Sequence, residues 1–184
     1  MAKTMVFTPL HYPQAYLLYK YYREKLSFPG LLIGSFLPDL EVPVLVLLGY
    51  EIDYARLVLH SIMGSILFSW IIGLALLPIY GFIPRMLLDQ NIEIDVRKYI
   101  LSVELGSIIH VLIDAMHHKY NPLLWPITSE NITFLIPFGK QEEMHLLLHV
   151  IFLILTAICI ADILRHCSTL NFKSVLTKIL YDPC

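Results

Sequence analysis

The chain has 184 residues, of which 57% are hydrophobic and only 15% are charged, and its mean hydropathy is +0.68. A soluble protein of this length needs more polar surface, so the composition indicates a single membrane-embedded helical domain over residues 1–184. The net charge of −2 gives no reason to expect a nucleic-acid partner. Residues 1–27 show no cleavable signal peptide, so we expect internal segments to direct membrane insertion.

The N-terminal part of the sequence predicts an interfacial helix followed by a broken membrane helix. Residues 12–26 are rich in tyrosine and too charged to span, which favours an amphipathic helix at the membrane interface. Residues 28–48 are apolar, but five residues interrupt them: Gly34, Pro38, Asp39, Glu41 and Pro43. We interpret this segment as a discontinuous helix, because such breaks survive at membrane depth only beside protein or a watery cavity.

Three further segments are long and apolar enough to cross the hydrocarbon as helices, which takes about 20 residues. Residues 57–80 and 144–164 are clear candidates, and residues 99–116 are apolar but carry Glu104, His110 and Asp114. A polar loop, residues 81–98, and a longer Pro-containing loop, residues 117–143, connect them. The sequence therefore predicts an all-α integral membrane bundle of about four membrane helices, one of them broken, plus the amphipathic N-terminal helix.

Small residues recur every four positions in two of these segments, a spacing that is typical of close helix packing in membranes. They are Ser61, Ser65, Ser69 and Gly73 in one segment, and Ser102 and Gly106 in the other.

The distribution of Lys and Arg bears on orientation, since cytoplasmic loops carry an excess of both. If residues 28–48 span the membrane, one side holds ten of the 13 basic residues and is expected to be cytoplasmic. If residues 28–48 only dip into the membrane, four N-terminal basic residues change sides. The count of seven against six then leaves the orientation open.

Ionisable side chains inside the apolar segments cluster at one predicted membrane level. Each costs roughly 2.5–3.5 kcal/mol near a helix centre, so their presence requires a reason. Because consecutive spans alternate in direction, the start of the second, the end of the third and the start of the fourth share one side. These positions hold His60, then His110, Asp114, His117 and His118, then His145 and His149.

The third segment carries the most specific pattern. His110 and Asp114 are four residues apart and share one helix face, and His117 lies near the same line. Imidazole and carboxylate are ligands that zinc and similar divalent metals accept, and His60 and Asp39 could complete a site from neighbouring helices. Water bound to such a metal would lose a proton near neutral pH and attack an ester, amide or phosphoester.

Simpler interpretations exist for each residue taken alone. A membrane histidine such as His60 can serve as a hydrogen bond between helices, and His110 with Asp114 can be a structural pair. His145 and His149 fit interfacial or supporting groups as well as ligands. Glu104 lies deeper and is equally consistent with a buried partner of another helix and with a catalytic acid. The metal hypothesis depends on the joint pattern.

Several strings together resemble a known group of proteins. They are FTPLHYP at residues 7–13, GSFLPD at 34–39, LHSIMGS at 59–65, GSIIHVLIDAMHH at 106–118 and LLWPIT at 123–128. In order and spacing they resemble the membrane-bound metal-dependent hydrolase families of bacteria and archaea. They also resemble closely similar uncharacterised families with a Thr-Pro-x-His start. The resemblance covers residues 7–128, and the hydrolase name itself follows a loose similarity to zinc-dependent phospholipase C.

The resemblance implies a set of metal ligands, namely His11, Asp39, His60, His110 and Asp114. His11 enters only in this way, and its presence in the site would require the N-terminus to fold back, which favours the dipping interpretation of residues 28–48. The sequence departs from the common pattern in carrying Met116, His117 and His118 where such proteins often have Thr or Thr-His after the Asp motif. His117 is therefore either an extra ligand or a supporting donor.

These observations predict a membrane-bound hydrolase of the cell membrane that depends on a divalent metal ion, with zinc expected. Its substrate would be an amphiphile such as a membrane lipid or a lipid-linked phosphoester, with Glu104 and His117 as candidates for proton transfer. A proton- or metal-ion-coupled transporter is the alternative, although residues 66–77 and 150–160 lack the ionisable groups that a pathway through both leaflets needs. A non-catalytic protein stapled by its metal is the third hypothesis.

Overall fold

The computed structural model describes residues 11–83, 86, 93–118, 120–131, 141–165 and 171–183. Within these ranges the chain forms seven α-helices and no strand, which confirms the predicted all-α fold. The helices are α1 (Tyr12–Tyr22), α2 (Phe28–Phe36), α3 (Glu41–Leu47), α4 (Ile62–Ile83), α5 (Val96–Asp114), α6 (Gln141–Arg165) and α7 (Phe172–Leu180).

Three stretches of these helices are long and apolar enough to cross a membrane: Phe28–Leu47, Ile62–Phe82 and Glu142–Arg165. The first is broken as predicted, with a 3-10 turn, Pro38–Leu40, between α2 and α3. Pro38 has no N–H to continue the helical hydrogen bonds of α2, which explains why the regular helix stops just before it. Helix α5 packs along both α2 and α4 and so joins the first two of these stretches, whereas α6 contacts α1 and α7.

The helix predicted from residue 57 begins later, at Ile62, and His60 therefore lies in a turn before α4 rather than inside a span. The Glu41 carboxylate accepts the backbone N–H groups of Leu57 (3.1 Å), Val58 (2.6 Å) and Leu59 (3.1 Å). These contacts hold residues 57–59 outside the helix.

Helix α5 also differs from the prediction at its two ends. It begins at Val96, where the Asp95 carboxylate accepts the N–H groups of Arg97 and Lys98 as an N-cap. It ends at Asp114, so His117 lies in the following turn and not on the helix face that carries His110.

Close packing of α2 and α5 depends on glycine. A Cβ atom at Gly34 would lie 2.1 Å from the Val103 carbonyl oxygen, and one at Gly106 would lie 2.6 Å from that of Leu31. Between α4 and α5, the Ser69 hydroxyl donates to Ser107 over 2.8 Å. The small-residue spacing thus marks real helix contacts, as predicted.

Helix α1 was expected at the interface, but its first half lies inside the bundle. Tyr12 and Tyr16 are buried with Phe28 of α2 and Ile163 of α6. The Tyr16 hydroxyl donates to the Asp162 carboxylate of α6, so this buried tyrosine has a polar partner. The packing brings His11, which directly precedes α1, to the C-terminal end of α5 and beside Phe152 of α6.

Candidate functional site

Four of the predicted ligands meet at one place. We call Asp39, His60, His110 and Asp114 the first cluster, because one ligand atom of each lies within 4.8 Å of all the others. They come from three parts of the chain: the 3-10 turn after α2, the turn before α4 and the last two turns of α5. Asp39 is the most exposed, with 11% of its side chain accessible, and the other three are fully buried.

Both imidazoles of the first cluster are held by their Nδ1 atoms. His60 Nδ1 donates to the Glu41 carboxylate over 3.0 Å, and His110 Nδ1 donates to the Ser35 carbonyl oxygen over 2.7 Å. Protonation at Nδ1 leaves a lone pair on Nε2, which is the usual arrangement for a histidine that binds a metal. The Nε2 atoms of both residues point toward the carboxylates of the cluster.

The distances within the first cluster suit ligands of a shared ion better than hydrogen bonds. His110 Nε2 lies 3.4 Å from Asp114 Oδ2 and 3.5 Å from Asp39 Oδ1. His60 Nε2 lies 3.7 Å and 3.8 Å from the same two oxygens. Ligands at about 2.0–2.1 Å from a tetrahedral zinc ion are about 3.3 Å apart from one another, whereas an N–H···O hydrogen bond is usually about 2.9–3.0 Å.

Asp114 is the residue that the fold leaves most in need of a cation. Its side chain is fully buried, and within the described ranges neither carboxylate oxygen has a hydrogen-bond partner. The Nε2 atoms of His60 and His110 also have none among the residues described. A buried carboxylate without donors is costly, and an ion bound between these atoms would remove that cost.

His11 lies at the edge of the first cluster. Its ring stacks on that of His110 with 3.9 Å between the ring centroids, and its Nε2 lies 3.6 Å from Asp114 Oδ1. Burial lowers the pKa of His11 to about 4, so the imidazole is neutral at physiological pH and able to bind a metal. The N-terminal fold-back that the resemblance requires is therefore present, although Thr8 and Pro9 of that motif lie outside the described residues.

A second group of imidazoles adjoins the first. We call His117, His118 and His145 the second cluster, because a ligand atom of each lies within 4.8 Å of the other two. Burial lowers the pKa of His117 and sets that of His118 well below its usual value, so both rings are neutral. His149 lies beside them, one turn along α6 from His145, with 4.1 Å between their ring centroids.

Glu104, predicted as a catalytic acid, lies apart from both clusters. It is half-buried on α5, six residues before His110, and within the described ranges no hydrogen bond or ion pair joins it to another side chain. Its role in proton transfer stays a prediction.

Two residues of the site were not singled out by the sequence. Glu41, which orients His60, was taken only as a break in an apolar segment, yet an acid two residues after Asp39 in such a segment could have marked it. Arg56 is buried, with its Nε 3.8 Å from Asp114 Oδ2 and its Nη2 donating to His118 over 3.4 Å.

A family model matches residues 9–178, the range that contains every residue of both clusters. The chain belongs to the YdjM inner membrane protein family. It is therefore an integral membrane protein of the cell membrane, as predicted. No curated protein and no solved structure matches this YdjM family member. The family description gives a location and no activity. The feature that bears on function is therefore the buried His/Asp group, which could hold a metal ion.

Proposed function

We propose that the protein is a membrane-bound hydrolase that depends on a divalent metal ion, with zinc as the metal. The observation that carries the proposal is Asp114, a buried carboxylate with no hydrogen-bond donor among the described residues. Its oxygens face His60, His110 and His11 at 3.4–3.7 Å. Imidazoles and carboxylates are a set that zinc binds readily.

The charges in the site favour a divalent ion. Asp39 and Asp114 bring two negative charges together, and Arg56 is the guanidinium nearest to them among the described side chains. Two carboxylates that share a site repel each other unless protons or a cation intervene. A divalent ion would balance both charges, and Arg56 would then remain able to attract an anion.

A zinc ion held by the first cluster would supply an activated water and polarise the bond to be cleaved. The chain's own residues have distinct tasks in this proposal. Glu41 fixes the direction of His60, and the Ser35 carbonyl oxygen fixes that of His110. Arg56 would bind an oxygen of an anionic substrate, since its guanidinium presents fixed donors for phosphate geometry.

The surroundings favour an amphiphilic substrate, such as a membrane lipid or a lipid-linked phosphoester. Beside His145, the first turns of α6 present Leu146 and Leu147 outward, with 67% and 52% of their surface exposed. An acyl chain in the bilayer could lie against these residues while its polar headgroup reaches the exposed side of Asp39.

The first test is the metal content of untagged protein purified in detergent and dialysed. We expect one tightly bound zinc ion per chain, and its loss in the double variant His60→Ala with His110→Ala. Ser107→Ala is the matched control, because Ser107 is buried on the same helix but bonds to Ser69. Metal content that is equal in the wild type and the double variant would disprove the site.

The second test is hydrolysis by the metal-loaded protein in vesicles of defined phospholipids and lipid-linked phosphoesters. We expect release of a headgroup or phosphate that a chelator stops and zinc restores, and no release by Asp114→Asn. Retained metal with no hydrolysis of any lipid would favour the non-catalytic staple, which the deep burial of the first cluster also supports. Metal transport into protein-containing vesicles without hydrolysis would favour the transporter.

A further inference from the structure

We propose that the second cluster, His117, His118 and His145, binds a second divalent cation, with Asp114 as the carboxylate shared between the two ions. The second ion goes beyond the proposed hydrolase, since it can bind whether or not the protein cleaves an ester. The metal would be of the borderline class that prefers imidazole, such as zinc, cobalt or nickel.

The tautomers of the surrounding histidines support the second site. His117 Nδ1 donates to the Ile113 carbonyl oxygen over 2.9 Å, and His149 Nδ1 donates to that of His145 over 2.7 Å. Each Nε2 therefore carries a lone pair, as in His60 and His110 of the first cluster. His149 Nε2 is buried without a hydrogen-bond partner in the part of the chain described.

The rings are close enough to surround an ion. The ring centroids of His117 lie 4.3 Å, 5.3 Å and 5.9 Å from those of His118, His145 and His149. His118 is nine-tenths buried, with 6% of its surface exposed. Four imidazoles from two segments of chain thus converge at the start of α6. Free Nε2 lone pairs are established for His117 and His149, whereas His118 Nε2 accepts from Arg56 and would have to exchange that hydrogen bond for the ion.

Asp114 lies between the two clusters and gives the second one a negative charge. Its Oδ1 is 3.6 Å from His11 Nε2 and 3.9 Å from His117 Nε2. Its Oδ2 is 3.4 Å from His110 Nε2 and 3.4 Å from His118 Nε2. A carboxylate in this position can bridge two cations, as carboxylates do in two-metal sites.

The two sites should differ in affinity. The first cluster has two carboxylates, whereas the second has neutral imidazoles and only a share of Asp114. Arg56 also lies beside His118 and its positive charge opposes a cation there. We therefore expect the first ion to survive dialysis and the second to bind only at higher free metal, with at least tenfold lower affinity.

The experiment is a titration of untagged, chelator-treated protein with zinc alone, followed by calorimetry, and with cobalt(II), followed by visible absorption. We expect two ions per chain in the wild type, and one in His117→Ala with His145→Ala, which should keep the tight ion. The converse double variant, His60→Ala with His110→Ala, should keep only the weaker ion. Ser107→Ala should bind two ions as the wild type does.

The outcomes separate this inference from the proposed function. A wild type that saturates at one ion, with binding unchanged by the loss of His117 and His145, would overturn the second site and leave the hydrolase intact. A wild type that binds no ion would overturn both proposals. Cobalt absorption that is equal in the wild type and in the second-cluster variant would also overturn the second site, even if the two protein samples differ in total metal.

Discussion

Two parts of this small bundle differ in how closely they pack. Helices α2 and α5 are in close contact, whereas α6 is mostly exposed. Half of the apolar stretch that begins with α2 is buried, against 11% of the stretch in α6. The first is held to α5 by backbone contacts over Gly34 and Gly106, whereas α6 leaves most of its length facing outward. In a membrane, protein covers the apolar surface of the α2 stretch and lipid covers that of α6.

The first and second clusters differ in the same way. His110 of the first cluster is anchored across the close α2–α5 contact, on the Ser35 carbonyl oxygen. In the second cluster, His145 belongs to α6, and the hydrogen bond of His149 Nδ1 beside it goes to a carbonyl oxygen of the same helix. The first cluster therefore has a geometry fixed by packing, and the second depends on where a loosely packed helix lies.

The largest expected effect comes from breaking the close contact. Gly34→Leu would drive a side chain into the Val103 backbone, where even a Cβ atom lies 2.1 Å from the carbonyl oxygen. We expect destabilisation above about 3 kcal/mol and loss of the tightly bound metal, because neither helix can yield without unpacking. Thermal unfolding in detergent and metal analysis measure both effects.

Gly81→Leu is the matched control, because a Cβ atom at Gly81 meets nothing within 4 Å among the described residues. This variant should unfold near the temperature of the wild type and keep its metal. If the two glycine variants behave alike, the α2–α5 contact is not what holds the first cluster.

An intermediate effect is expected from Glu41, which supports the first cluster without belonging to it. Glu41→Gln keeps the shape of the side chain but weakens its hydrogen bond to His60 Nδ1, so the affinity for zinc should fall about 10- to 100-fold. Zinc titration of the variant against that of Glu51→Gln, an exposed acid of the same loop region, measures the difference. Equal affinities would contradict the orienting role of Glu41.

Much of this arrangement can be predicted from the order of residues along the sequence. Apolar length predicts the three membrane stretches, but residues 99–116, which were also expected to span, are not among them in the described part of the chain. Pro38 predicts the break, and small residues every four positions predict the close contacts. The shared level of His60, His110 and His145 follows from the alternation of spans alone. These features are local or depend only on chain direction, and for that reason the sequence is enough to predict them.

The contacts that cross between segments could not be predicted in this way. Glu41 binds a turn that begins 16 residues later, and its five hydrogen bonds to residues 57–60 move the start of α4 to Ile62. Arg56 was counted only as a basic residue of a loop, because nothing in its neighbours indicates the buried carboxylate that it faces. The division of the histidines into two clusters likewise depends on where α5 ends. The helix ends at Asp114, and His117 therefore lies beyond it.

The smallest expected effect tests the lipid-facing side of the comparison. Leu153 lies in the middle of α6 with 62% of its surface exposed, whereas Leu31 of α2 is fully buried in the core that α2 shares with α1 and with Ile163 of α6. Leu31→Ala should cost about 2–5 kcal/mol in free energy of unfolding, because it opens a cavity between packed helices. Leu153→Ala removes the same atoms from a surface that lipid can fill, so its effect should stay within about 0.5 kcal/mol. Unfolding of both variants in the same bilayer-like particles measures the contrast. A cost for Leu153→Ala close to that for Leu31→Ala would mean that another protein surface covers α6 in the membrane, since lipid replaces the missing atoms at little cost and a protein partner cannot.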